Sequence, residues 1–220
     1  MTPHDAFLQD ILDDPDDDAV RLIFADWLTE QDDPRGEFIR VQCELAGLSP
    51  RDPRWPGLDQ RQRELLLAHQ EEWAGPLPGL VRRFNFRRGF PHEVEMTVPE
   101  FVDRGDGLLR AAPMAEVRLL RASAQLHLLA GCEALGRLRG LSLAYGHLND
   151  GAVHTLARLP HLEGLRVLLL DHNFIRGGGA LALAGSPHLS RLTRLDLRGN
   201  LIAAAGRQAL LDRFGAGVRL

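Results

Sequence analysis

The segments Leu138-Arg139-Gly140-Leu141-Ser142-Leu143, Leu165-Arg166-Val167-Leu168-Leu169-Leu170 and Leu192-Thr193-Arg194-Leu195-Asp196-Leu197 begin 27 residues apart. Two of them run on in step, as LRVLLLDHNFI with Asn173 and LTRLDLRGNLI with Asn200. The shared frame is L-x-x-L-x-L-x-x-N-x-L. A fixed period of this length means one supersecondary unit repeated. Each copy is too small to bury its own apolar side, so the copies stack into a solenoid. Within a copy, L-x-L is the period of a strand with one buried face.

Working outward, Val94-Glu95-Met96 and Val117-Arg118-Leu119 show the same alternation. Val94, Val117, Leu141, Leu168 and Leu195 are spaced by 23, 24, 27 and 27 residues. This predicts five ladder strands, the first two degenerate, as terminal repeats become when they adapt to a cap. Between the strands, Asp150-Gly151-Ala152 precedes VHTLARL, Gly177-Gly178-Gly179-Ala180 precedes LALAGSP, and Ala205-Gly206 precedes RQALLDRF, so the returns are expected to be helical. The frame and its helical returns resemble leucine-rich repeats of the ribonuclease-inhibitor class. The expected fold class is α/β, a parallel strand ladder backed by helices.

The first 78 residues read differently and form the expected N-terminal domain, with residues 79–220 as the repeat domain. Phe7, Leu8, Ile11 and Leu12 have helical spacing, ended at Asp13-Asp14-Pro15. A second helix carries Val20 to Leu28, and a third runs from Glu37 to Leu48 after the turn Asp32 to Gly36. SPRDPRWPG (49–57) is a proline-rich loop, and a fourth helix extends from Leu58 to Trp73. The pattern F-L-x-x-I-L (Phe7 to Leu12), then Asp14-Pro15, Arg21-Leu22, Ala25-Asp26-Trp27-Leu28 and Asp33-Pro34-Arg35-Gly36-Glu37-Phe38-Ile39-Arg40-Val41-Gln42, resembles the bacterial repeat-companion domain. LLLAHQEEWAGPL and FRRGFPHEV resemble segments common on the C-terminal side of that domain. The resemblance implies a helical module ahead of repeats, here capping the array. It brings no assigned biochemistry and no catalytic residue.

Bulk properties set further bounds. A net charge of −4 and a pI near 6.1 supply no general attraction to nucleic acid or anionic membrane. The two cysteines, Cys43 and Cys132, form no C-x-x-C pair, so neither a disulfide framework nor a structural zinc site is expected. The acidic start lacks a signal-peptide pattern, and no apolar stretch reaches membrane-spanning length. A cytoplasmic protein without a membrane partner is the expectation.

Candidate chemistry is sparse. The run Asp13, Asp14, Asp16, Asp17, Asp18 lacks the glycine and closing glutamate of a calcium loop, and helix capping is the better reading. Asp26 is expected to bond to the amides of the Pro34-Arg35-Gly36-Glu37 turn or to Arg35, and Arg35 to pair with a local carboxylate. The nine histidines show no H-E-x-x-H pair. Nucleophile-elbow, phosphate-loop and dinucleotide motifs are missing, so no catalytic residue, cofactor or metal is assigned. Arg82, Arg83, Arg87 and Arg88, interleaved with Phe84 and Phe86, are the one dense basic cluster. A nucleic-acid-associated regulator is therefore the alternative reading, although the phenylalanines are expected to face the core.

The function read from the pattern is a non-enzymatic protein–protein interaction scaffold whose partner the sequence does not name. Strand alternation assigns the outward positions of the ladder to that partner: Glu95, Arg118, Ser142, Val167, Leu169, Asp171, Arg194, Asp196 and Arg198. Asn173 and Asn200 are expected to be structural, bonding to backbone inside the turns.

Overall fold

A computed structural model describes residues 2–14, 17–112 and 116–220. The chain divides into two compact units, Met1–Gly79 with Phe84–His92 and Ala111–Met114, and Leu80–Arg83 with Glu93–Arg110 and Ala115–Leu220.

Helices dominate the first unit: α1 (Pro3–Asp13), α2 (Asp18–Glu30), α3 (Arg35–Gly47), α4 (Trp55–Ala74) and the single turn α5 (Leu77–Leu80). The starts of α1, α2 and α3 are set by side-chain oxygens that receive free first-turn amides. Thr2 and Asp5 form a reciprocal capping box on α1. Asp17 accepts from the Ala19 amide at 2.8 Å, and Asp33 accepts from the Arg35 amide at 2.8 Å. Asp17 thus caps as expected, while Asp16 lies outside the described residues. α4 starts earlier than its apolar spacing suggested because Pro56 in its first turn extends the helix toward the loop. One apolar cluster gathers Ile11, Phe24, Ala25, Leu28, Ile39, Cys43 and Phe90. A second joins Phe38 to Leu65 and Trp73, with the Phe38 and Trp73 rings stacked at 4.7 Å.

The hairpin of β1 (Arg83–Arg87) and β2 (Phe90–Thr97) turns on Arg88 and Gly89, with φ of 51° and 84°. Two left-handed residues match the twist of a tight two-residue hairpin. α3 grips this turn with residues from one side. The Gln42 side chain accepts from the Gly89 amide at 2.7 Å, and Arg35 lies 5.1 Å over the Phe90 ring and donates to the Gly89 carbonyl. A Cβ on Gly89 would overlap the Ile39 side chain. The Gln42 amide reaches Gln62, and Gln62 reaches buried Asp59, so the relay continues into α4.

Two expectations about this region are corrected. Asp26 binds Arg40, at 2.9 Å, rather than Arg35 or the turn amides. Arg40 also donates to the Ala25 carbonyl and the Thr29 hydroxyl. Arg35 is spent on Phe90 and Gly89, and burial lowers its pKa from the usual arginine value. Both differences have one cause: an arginine at helix position 40 meets α2 side-on, whereas Arg35, at the helix start, faces the hairpin.

The second unit carries the ladder. α6 (Val98–Ala111) leads from β2 to β3 (Glu116–Leu120), and then come β4 (Gly140–Ser142), α7 (Asp150–Ala157), β5 (Val167–Leu169), α8 (Gly177–Ala184), β6 (Arg194–Asp196), α9 (Ala204–Phe214) and β7 (Val218–Arg219). The architecture is α/β, and the seven strands stand in chain order in one sheet. β2 to β7 pair in parallel, and their register aligns Val94, Val117, Leu141, Leu168, Leu195 and Val218. The five expected rungs are thus in register, and Val218 adds a sixth. Each of the first five is fully buried.

Two further differences concern the returns. α8 includes the glycine run instead of starting after it. The first free amide of that helix, on Arg176, is received by Asp150 of α7 at 2.7 Å, so the neighbouring repeat caps α8. Between β3 and β4 the chain returns through three 3-10 turns, Ala122–Ala124, Leu126–Gly131 and Glu133–Arg137, instead of an α-helix.

Candidate functional site

The ladder does not stop where the strands end. The Leu143, Leu170 and Leu197 amides donate to the Leu169, Asp196 and Arg219 carbonyls, and the Tyr145 and His172 amides donate to the Asp171 and Arg198 carbonyls. Successive turns are therefore tied to each other by backbone and present their side chains from a rigid base.

Below that surface lie the two asparagines. Asn173 donates to the carbonyls of Leu143 at 3.0 Å and Leu170 at 2.9 Å, and its oxygen accepts from the Leu148 amide at 3.0 Å. Asn200 repeats the arrangement one repeat later, with Leu170, Leu197 and the Ile175 amide. Each asparagine closes its own turn and binds the previous one. Their expected structural role is what the geometry displays.

Three residues beyond the paired positions Arg118, Ser142, Leu169 and Asp196 stand Arg121, Tyr145, His172 and Gly199. All four are left-handed, with φ of 52°, 56°, 53° and 71°. Only glycine adopts this conformation without cost, and bulky side chains there are uncommon. The Tyr145 and His172 rings stack at 4.6 Å with 12° between planes, and His172 lies over Gly199, where a Cβ would collide with the imidazole. Two residues further on, a second column forms: His147 and Phe174 stack at 5.7 Å, and Leu201 comes next. Tyr145, Phe174 and Leu201 are 60%, 58% and 70% exposed. These side chains do nothing for the core, and together they make an apolar, aromatic ridge along the turns after β4, β5 and β6. Sequence reasoning passed over it. The signal was present in the 27-residue offsets 145/172/199 and 147/174/201, where large aromatic groups occupy a position that the last repeat gives to glycine.

The outward strand positions adjoin this ridge. Glu95 and Arg118 pair at 3.2 Å on the β2–β3 side. Val167 and Leu169 are half-buried on β5, and Arg194 is half-buried on β6. The Arg194 Nε is buried and, among the described residues, makes no hydrogen bond. Two of the assigned positions are corrected. Ser142 and Asp196 are 6% and 1% exposed, so neither meets a partner directly. Ser142 is small and sits in the register between the longer residues Arg118 and Leu169. Asp196 is covered by Arg198, which grips both carboxylate oxygens, at 2.7 Å in the closer contact. Burial works against the Asp196 charge, but hydrogen bonds from the Arg198 side chain and amide outweigh it and keep its pKa below the usual carboxylate range. Arg198 is held above its ordinary value by that bond and that charge, with Asp171 and Tyr145 adding to it. Asp171, Asp196 and Arg198 thus form one charged group at the foot of the ridge.

The basic cluster does not act as a unit. Arg82 pairs with Glu100 at 2.9 Å and Arg88 with Asp18 at 3.1 Å, while the Arg87 guanidinium meets His92. Phe84 and Phe86 are half-buried, Phe86 against Phe38. Among the described residues, no helix is long and apolar enough to cross a membrane. No protein-family model matches the chain, and no curated protein is similar enough to count as a relative.

Proposed function

We propose that this chain is a leucine-rich-repeat protein of the ribonuclease-inhibitor-like class, headed by a repeat-companion module, and that it acts as a non-enzymatic scaffold for a protein partner in the cytoplasm. The observation that carries this reading is the half-buried apolar pair Val167 and Leu169, set in the outward row of a parallel ladder and continuous with the exposed aromatic ridge. An apolar centre bordered by charged residues, here Glu95, Arg118, Asp171, Arg194 and Arg198, is the arrangement of a protein interface. The period of the repeat and the asparagine ladder support the solenoid reading. Two buried, unbridged cysteines, Cys43 and Cys132, accord with a reducing compartment. The nucleic-acid alternative is the weaker reading, because carboxylates hold two of the four arginines it rests on, Arg82 and Arg88.

The test compares capture of host proteins by the wild-type chain and by Leu169→Lys. Lysine suits this half-buried position because its aliphatic stem can follow the leucine and carry the charge out to water. The reading predicts a partner that the wild type retains and the variant loses at an unchanged melting curve. Equal retention by both chains would overturn it.

A further inference from the structure

We infer that the ridge formed by Tyr145, His147, His172, Phe174 and Leu201 docks an acidic, extended segment of a protein partner. This rests on the scaffold reading and names the partner's chemistry.

Three observations point to an acceptor-rich occupant. First, the rings stack on one another, Tyr145 on His172 and His147 on Phe174, with His172 also seated over Gly199. Stacking occupies the inner, negative face of each ring and leaves the ring edges outward. Those edges carry the positive part of the ring quadrupole and therefore suit carbonyl and carboxylate oxygens. Second, among the described residues the Tyr145 hydroxyl and the His147 and His172 rings have no hydrogen-bond partner, so their donors remain open. Third, two arginines beside the ridge present unpaired guanidinium groups. The exposed guanidinium groups of Arg121, next in the left-handed column to Tyr145, and of Arg176, two residues beyond Phe174, form no ion pair among the described residues, the Asp150 carboxylate receiving only the Arg176 amide. Arg121 also lines an open depression with Thr97, Pro99, Ala124 and Gln125. Of the nearby carboxylates, Asp196 is held by Arg198 and Asp150 by the Arg176 amide.

A single-stranded nucleic acid would also welcome arginines and aromatic rings, but it needs open ring faces on which to lay its bases. Here the inner face of each ring is already used, and His172 is covered on both sides, by Tyr145 and by Gly199. The backbone links between successive turns hold the columns in a line across the repeats, and an extended chain can follow that line.

The experiment selects a display library of random peptides, and in parallel a random single-stranded RNA pool, on the full chain. The expected peptide pool is rich in Asp and Glu and poor in Lys and Arg. The double variant Tyr145→Asn, Phe174→Ser should bind it at least about tenfold more weakly, the scale set by removing exposed aromatic contacts. Arg121→Ser, which leaves the stacks intact, should weaken it several-fold at low salt, with the deficit shrinking as salt rises. A neutral or basic pool, or RNA held more tightly than the peptides through the same residues, would overturn the inference. So would an acidic pool that Leu169→Lys abolishes while the ridge variant binds normally, although that result would leave the scaffold reading intact. Failure to enrich any peptide or RNA would count against both.

Discussion

The side-chain amide of Asn173 reaches the carbonyl of Leu143, thirty residues earlier, at 3.0 Å. One residue thereby closes its own turn and fastens it to the preceding repeat. Asn173→Ala would strand the Leu143 carbonyl and the Leu148 amide in a buried place, at about 1–3 kcal/mol for each group that water cannot reach, while the Leu170 carbonyl keeps its bond from Asn200. Asn200→Ala removes the same bonds from a half-buried site at the end of the ladder and should cost less. Urea denaturation of the two variants measures the difference; equal losses would contradict the stacked arrangement.

Gly89 is the tightest point of the first unit. Alanine there combines a left-handed backbone with overlap on Ile39, and strain and overpacking of this kind each cost about 1–3 kcal/mol. Gly89→Ala should lower stability by at least about 2 kcal/mol in a denaturant melt. Gly79→Ala, where an added methyl meets open space, should be near neutral.

Glu100 supplies a pH dependence. It accepts from Arg82 and from the Thr97 amide and hydroxyl in a T-x-x-E box at the start of α6, which lowers its pKa from 4.5 to about 2. A depressed folded-state pKa contributes stability above the unfolded value, and that stability is lost as pH falls from about 4.5 toward about 2. Glu100→Gln should flatten this part of the stability-versus-pH curve. An unchanged slope would mean that the box is not formed.

Cys43 should be inert. Burial first, and the Asp18 carboxylate second, push its thiol up to about 12. Burial likewise raises Cys132. Neither thiol should react with a disulfide reagent at about pH 8 in the native protein, where the thiolate would be the attacking species. Both should react after denaturation.

Tyr145→Asn and His172→Asn test the cost of the ridge. Asparagine tolerates the left-handed turn better than either aromatic, a gain that offsets the lost ring stacking, each of the order of 1 kcal/mol. Melting should therefore change by less than about 1 kcal/mol in either direction. A large loss would place these rings in the core, not on a contact surface.

These same residues show what the sequence could and could not convey. The rungs Val94 to Leu195 were legible because a buried leucine at fixed spacing has one physical explanation. Asn173 and Asn200 were legible because an amide can satisfy both backbone donors and acceptors in a turn. Val218 was not, since a two-residue strand carries no alternation. The 3-10 return from Ala122 to Arg137 was missed because apolar spacing there lacks a helical period. Ser142 and Asp196 were misplaced because alternation tells which side of a strand a residue occupies, not how deeply it is buried there. The ridge depends on left-handed turns, and propensity points away from placing Tyr or His in them.

The most direct test is the hydrogen-exchange footprint of the full chain bound to the partner it captures in its host. The account predicts slowed amides across residues 167–174 and 194–201, with the helices of residues 3–47 unchanged. Protection confined to residues 82–88 or to those helices, with the ladder turns exchanging as in the free protein, would contradict it.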